Sequence, residues 1–182
     1  MQYRLIRSAR KTLALEVRNG ELIVRAPMRA TQAEIDRMLR EKRSWIEKHL
    51  QKSQERKESV SGIVPLTGEE LRELGQRAVE YIPERVRLYA AKLGVSPRKI
   101  TIRNQRTRWG SCSANGGLNF NCILMLTPPE VIDSVVVHEL CHMLEMNHSS
   151  RFYEKVYSVY PEYDRWHGWL KEHQAELMAR LG

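Results

Sequence analysis

A short motif of histidine and glutamate is the part of the sequence best suited to chemistry. His138, Glu139 and His142 form the pattern H-E-x-x-H. Residues four apart lie on one face of a helix, so both imidazoles can converge on one zinc ion with bonds of about 2.0–2.1 Å. Glu139 lies about 100° around the helix from His138, which keeps it off the ion but within reach of a water molecule beside it. We therefore expect Glu139 to be a general base.

A catalytic zinc ion needs a third protein ligand and an open coordination position. His148 follows His142 after five residues, and a turn between them would bring its imidazole back to the ion. The sequence thus predicts that His138, His142 and His148 hold Zn²⁺. Glu145 and Glu154 remain alternatives for the third ligand, and a purely structural pair of histidines remains an alternative to the whole site.

The chemistry expected of such a site is hydrolysis. Zinc would polarise a carbonyl or phosphoryl oxygen and lower the pKa of a water molecule toward about 7, while the general base takes the proton. A hydrogen-bond donor should stabilise the oxyanion. The sequence does not rank the candidate donors, which are Tyr153, Tyr163, His167 and Arg108. His167 is otherwise expected to be a surface or packing residue.

The motif needs a helix to carry it, and residues 127–130 predict its start. A hydroxyl residue there precedes two prolines and a glutamate, the usual order at a helix N-terminus. The helix should reach Leu144. Residues 118–126 are predicted to form a strand before it, and residues 67–93 a long helix that Pro83 should kink or divide.

The N-terminal part has its own pattern of elements. Residues 3–26 alternate in hydrophobicity around Asn19-Gly20, which predicts two or three antiparallel strands. Thr31 and Glu34 form a capping box, so a helix should follow to about Leu50, with Trp45 in its buried stripe. The polar residues 51–66 are predicted to be a linker. We therefore expect a β-sheet plus helix subdomain over residues 1–60 and a second domain over residues 67–182.

Composition limits the class of protein and its partners. Three cysteines without a C-x-x-C, and a start without a secretory signal, predict reduced thiols and a cytoplasmic protein. No stretch approaches 18 apolar residues, so no membrane partner is expected. The net charge is +8, and residues 1–60 carry 15 basic and 8 acidic side chains, or +7. This basic part is expected either to contact polyanions or to be a solvated face.

Several blocks of the sequence form a specific set. They are R-T-R-W-G-S-C-S (106–113), L-N-F-N (118–121), P-P-E-V-I-D (128–133), H-E-L-C-H (138–142), N-H-S with Phe152, R-K-T (10–12) and W-I (45–46). Together they resemble the YgjP-like metallopeptidase family, which is akin to the SprT-like proteases and the wider zincins, and the resemblance covers nearly the whole chain. It implies an α+β fold: a zincin-like half, with helices, a small sheet and H-E-x-x-H on a helix, preceded by the N-terminal sheet and helix. It also implies the same ligands and base, at His138, Glu139, His142 and His148.

Three functions fit these features. The first is a zinc metallopeptidase whose peptide or protein substrate pairs with an edge strand, for which residues 118–126 are the candidate. The second is a metal-dependent nucleotide phosphoanhydride hydrolase, in which Arg103, Arg106 and Arg108 would bind phosphates and Trp109 would stack on a base. The third is a nucleic-acid-associated binding module with a structural metal, which would have no need of Glu139.

Overall fold

The computed structural model describes residues 2–18 and 20–181, and the chain forms two compact units, Met1–Gly62 and Ile63–Gly182. We call them the N-terminal and the C-terminal unit. Both combine helices with a small sheet, so the fold class is α+β. Within the described residues, every helix is too short or too polar to cross a bilayer. Cys112, Cys122 and Cys141 are free thiols, and the last two are buried in the core.

The N-terminal unit is built on a mixed three-stranded sheet. Its strands are β1 (Arg4–Ser8), β2 (Ala14–Arg18) and β3 (Glu21–Pro27), in the order β1-β3-β2. The hairpin of β2 and β3 is confirmed, although Asn19 in its turn lies outside the described residues. The all-antiparallel prediction is wrong for β1, which runs parallel to β3. A turn motif specifies only the neighbouring pair, whereas the buried apolar run of β3 makes it a central strand with room for a second partner.

Two helices follow this sheet, where one was predicted. Helix α1 (Gln32–Glu41) starts with the predicted capping box, and α2 (Arg43–Ser59) runs through most of the predicted linker. Good helix formers fill residues 51–58, and Gln51–Glu55 and Gln54–Glu58 hydrogen bonds span successive turns of α2. Trp45 is 39% exposed and not in the core, because Ile46, about 100° further around the helix, takes the buried position.

The C-terminal unit begins with α3 (Gly68–Leu93), which is capped by Thr67 and Glu70 and ends at Gly94 with a φ of 67°. Pro83 does not divide this helix. Its apolar face is buried in the main core, so packing holds the helix together where proline removes a backbone hydrogen bond. The buried residues of that face are Leu74, Ala78, Ile82, Val86, Tyr89 and Ala90.

A second three-stranded sheet contains β4 (Lys99–Arg103), β5 (Gly110–Cys112) and β6 (Gly117–Asn121), in the order β4-β6-β5. The predicted strand over residues 118–126 is wrong in length, because Cys122–Leu126 forms a 3-10 turn. The side-chain oxygen of Asn121 accepts the backbone N–H of Ile123 and so turns the chain out of the sheet. Moreover, β6 is the central strand, so it cannot be the edge that accepts a substrate; β5 is at the edge.

Three helices complete the unit: α4 (Pro129–Cys141), α5 (Ser150–Val159) and α6 (Tyr163–Ala179). Pro161 separates the last two, as predicted. Helix α4 starts with Pro129 but has no side-chain cap, because the Thr127 hydroxyl donates to Leu124. Nearly all of α4 is buried, so this helix is the centre of the core and a rigid support for any side chain it presents.

Candidate active site

The end of α4 positions the histidines and the glutamate of the motif. The helix ends at Cys141, and the prediction that it reaches Leu144 is wrong. His142 nevertheless keeps right-handed helical angles, with φ −65° and ψ −17°, and its N–H donates to the carbonyl of His138. The two imidazoles therefore retain the four-residue spacing of a helix. Because α4 ends at Cys141, the chain can turn after it and bring His148 back toward His138 and His142.

The three imidazoles converge through their Nε2 atoms. Nε2 of His138 lies 3.2 Å from Nε2 of His142 and 3.1 Å from Nε2 of His148. One ligand atom from each residue lies within 4.8 Å of the others. Ligand bonds of about 2.0–2.1 Å in a tetrahedron place such nitrogen atoms about 3.3–3.4 Å apart. The cluster could therefore hold a metal ion. Of the described acidic side chains, neither Glu145 nor Glu154 belongs to it.

Hydrogen bonds to the other ring nitrogens orient the imidazoles. Nδ1 of His142 lies 3.2 Å from the carbonyl oxygen of Glu145, which can only accept, so Nδ1 carries the proton and Nε2 a lone pair. Nδ1 of His138 lies 2.8 Å from the Tyr163 hydroxyl, which also lies 3.2 Å from Nδ1 of His167. Partners of this kind fix the ring orientation of metal-binding histidines.

The structure thus gives Tyr163 and His167 a place that the sequence did not assign to them. Tyr163, a candidate oxyanion donor, has its hydroxyl behind His138 and between two imidazoles. His167 is half-buried and its ring stacks on Tyr163 at 4.9 Å between centroids. Their i, i+4 spacing on the helix after Pro161 was the one available sign that they act together. Of the other candidate donors, Tyr153 has its ring centroid 6.4 Å from that of His148. Arg108 is close enough to Glu139 for its positive charge to act on the pKa of that carboxyl group.

A single apolar side chain supports the three imidazoles. Phe152, fully buried on α5, has its ring centroid 5.0 Å from that of His138, 4.7 Å from that of His142 and 4.9 Å from that of His148. Contacts of this kind restrict the rotamers of all three rings. The ligands are therefore held from behind by the core as well as by hydrogen bonds.

Burial gives the site groups unusual pKa values. Desolvation, helped by the neighbouring imidazoles, lowers the pKa of His138 to about 3, so the ring stays neutral as a ligand must be. Desolvation raises the pKa of Glu139 to about 7, while the charge of Arg108 opposes that rise. Glu139 is only 6% exposed. A carboxyl group poised near neutral pH suits proton transfer in both directions.

Strand β5 passes directly against this carboxyl group. A Cβ atom built on Gly110 would lie 2.7 Å from Cγ and 2.8 Å from Oε1 of Glu139. Real Cβ atoms do not approach so closely, so glycine is required at this position for the strand to reach Glu139. This explains the glycine of the W-G-S-C block. It also places the edge of the sheet beside the general-base candidate.

The chain is similar to a known protein family and to solved structures. The model of the YgjP-like family, described as a metallopeptidase domain, matches residues 11–78 and 69–173. No curated protein matches the chain. Among solved structures, it is similar to the metallopeptidase zymogen abylysin of Pyrococcus abyssi, at 20% identity and a TM-score of 0.44 over 50% of this chain and 90% of that one.

A second similar structure is the metallopeptidase zymogen jannalysin of Methanocaldococcus jannaschii. The identity is 19% and the TM-score 0.45, over 50% of this chain and 94% of that one. The family model covers far more of the sequence than either structure does, and it includes the histidine cluster. Since its two matched segments together span residues 11–173, the chain belongs to the YgjP-like family of metallopeptidase domains.

Proposed function

We propose that this protein is a zinc-dependent peptidase with Glu139 as general base. The observation that carries the proposal is the convergence of three Nε2 atoms, at 3.1 and 3.2 Å from that of His138, at the end of the helix that also carries the buried carboxyl group of Glu139. Three imidazoles leave a fourth tetrahedral position open, as catalytic zinc sites require. A site that binds a purely structural metal would have no need of the Glu139 carboxyl group. Family membership supports a metal-dependent protease, and the donor set favours zinc.

The roles of the residues follow from their positions. His138, His142 and His148 would hold the ion, which when bound supplies a Lewis acid that polarises the scissile carbonyl and acidifies water. Glu139 would accept a proton from the attacking water molecule and then donate it to the leaving amine nitrogen. Its burial favours both steps, because a pKa near 7 lets the carboxyl group take up and release a proton at neutral pH.

The edge strand β5 offers a place for the substrate backbone. An extended peptide can add to the free edge of a sheet through main-chain hydrogen bonds. Strand β5 pairs with β6 on one side only, so its other edge can accept such a peptide. Gly110 lies in this strand and against Glu139, so a peptide bound there would have its backbone beside the general base.

Hydrolysis of casein and of a quenched fluorogenic peptide library by the zinc-loaded protein tests the proposal. We expect Glu139→Gln to lower the rate by about 10²–10⁴-fold, the usual contribution of a general base, without loss of zinc. The matched control is Glu154→Gln on the exposed surface of α5, which should leave both rate and zinc content unchanged. Loss of zinc in that control would identify Glu154 as a ligand and contradict the three-histidine site.

Two other outcomes would replace this function with another. Phosphate release from nucleoside triphosphates, lost in Glu139→Gln while peptides stay intact, would identify a nucleotide phosphoanhydride hydrolase. Zinc bound at one equivalent with neither activity would identify a structural metal. Peptide cleavage that persists in Glu139→Gln would show that the glutamate is not the base.

A further inference from the structure

The N-terminal unit carries a basic groove that plays no part in the proposed peptidase site. It lies between the end of β2 and the C-terminal half of α2, with a volume of about 670 Å³. Sites that enclose small ligands span about 300–1,000 Å³. Its polar lining consists of Arg18, His49, Lys52, Ser53 and Lys57, and no described lining residue is acidic.

The cations of this groove are free to bind an anion. Arg18, Lys52 and Lys57 are exposed, and none forms an ion pair with any residue that the structure describes. Two basic side chains elsewhere in the same unit do form ion pairs, Arg25 with Glu16 at 2.9 Å and Arg43 with Glu47 at 2.8 Å. Three uncompensated charges in one concave surface create a positive potential that concentrates phosphate groups.

A rigid aromatic pair borders the groove. The ring of Trp45 stacks on that of His49 with centroids 4.0 Å apart, and Nδ1 of His49 lies 2.7 Å from the Trp45 carbonyl oxygen. Trp45 is 39% exposed and also lines a separate recess of about 210 Å³. Leu15, Met38 and Lys42 complete that recess. It offers apolar walls, an indole and one cation, the surroundings that suit an unpaired base.

We propose that this face of the N-terminal unit binds single-stranded nucleic acid. Phosphates would lie on Arg18, Lys52 and Lys57, and one base would enter the recess beside Trp45. From Trp45 to Lys57, α2 extends about 18 Å at 1.5 Å per residue, so the aromatic pair and the basic groups follow one another along this helix. A duplex keeps its bases stacked inside and cannot fill the recess. Ile46 of α2 is buried, and the other described residues of this helix are mostly polar, which does not suit the wide apolar face that binds a membrane surface.

Fluorescence anisotropy with a labelled 20-nucleotide single strand, of DNA and of RNA, tests this proposal on the full zinc-loaded chain. Each phosphate contact on a single strand contributes about −0.7 to the slope of log K against log salt, so three contacts predict a slope of about −2. Affinity should then fall about 20-fold between about 50 and 200 mM salt. The variant Lys52→Gln/Lys57→Gln, with one phosphate contact left, should have a slope of about −0.7. Its affinity should fall only about 3-fold over the same range of salt concentration.

The matched control is Arg37→Gln/Arg40→Gln, which removes the same charge from α1, outside the groove. It should keep the slope of the wild type; an equal loss in both variants would overturn the proposal in favour of net charge alone. Trp45→Ala should weaken binding about 5- to 150-fold at an unchanged slope, because stacking releases no counterions. Tighter binding of a duplex, or binding of anionic vesicles in place of the single strand, would also overturn it.

Discussion

Gly110 offers the sharpest test of the site, because the absence of its side chain lets strand β5 lie against Glu139. In Gly110→Ala, the new Cβ would lie 2.7 Å from Cγ of Glu139, and its three nearest atoms all belong to that residue. Non-bonded carbon atoms prefer about 3.5–4.0 Å, so strand and carboxyl group must separate by about 1 Å. Glu139 is buried and cannot simply swing into solvent.

This displacement sets the expected size of the effect. Misplacement of a reacting group by about 1 Å costs about 10²-fold in rate, which corresponds to about 2.7 kcal/mol in the barrier. Zinc affinity should stay the same, because the three atoms nearest the added Cβ belong to Glu139 and none of them to an imidazole. The variant should therefore lose turnover and keep its metal, which distinguishes it from a variant that has lost a ligand.

The measurement is kcat/KM for whichever hydrolysis the Glu139→Gln variant abolishes, together with zinc content after dialysis. The control is Gly75→Ala on α3, where a Cβ atom meets nothing within 4 Å. That change should keep full activity and raise stability by about 0.5–1 kcal/mol, as expected for alanine in place of glycine in a helix. Full activity in Gly110→Ala would refute the close approach of the strand to the general base.

Three further changes test the rest of the C-terminal unit. Tyr163→Phe should weaken zinc binding by about 10–100-fold in a competitive chelator titration, since an orienting hydrogen bond is lost. The control Tyr157→Phe should have no effect, because among the described residues the Tyr157 hydroxyl donates to Asp164 and not to a histidine. Arg85→Met leaves the carboxylate of Asp133 without its 2.6 Å partner and should cost roughly 2 kcal/mol in urea unfolding, less than the about 3–5 kcal/mol of fully buried pairs because Arg85 is 29% exposed. Adding Asp133→Leu should recover most of that loss. Hydrogen bonds from Thr67 lower the pKa of Glu70 below 4.5 in the folded state. The contribution of Glu70 to folding stability is therefore complete above pH 4.5 and is lost as the pH falls through the folded pKa. Glu70→Gln should flatten this part of the pH dependence of Tm.

Local patterns predicted the parts of the fold that depend on local interactions. Thr31 and Thr67 begin capped helices where their capping boxes predicted them, and the hairpin of β2 and β3 follows its turn residues. The convergence of the histidines also depends on one turn of helix and a short loop, so their spacing was enough to predict it. In each case, the partners lie within eleven residues of one another.

Features that depend on distant partners could not be predicted. The parallel pairing of β1, the central place of β6 and the edge position of β5 are decided by how whole strands pack. Tyr163 lies 25 residues from His138, and no pattern near the motif indicates their hydrogen bond. The sequence near Gly110 does not indicate why glycine is required there, because the clash that excludes other residues involves a side chain on another element.

The position of Phe152 links ion selectivity to the hydrophobic core. Its ring touches all three imidazoles, so any cavity made beneath it would let the three ligand atoms spread at once. A looser triangle would accept larger cations with longer bonds and higher coordination numbers, at the expense of the small tetrahedral ion. We therefore expect discrimination among metals to respond to substitutions on α5 that alter no ligand.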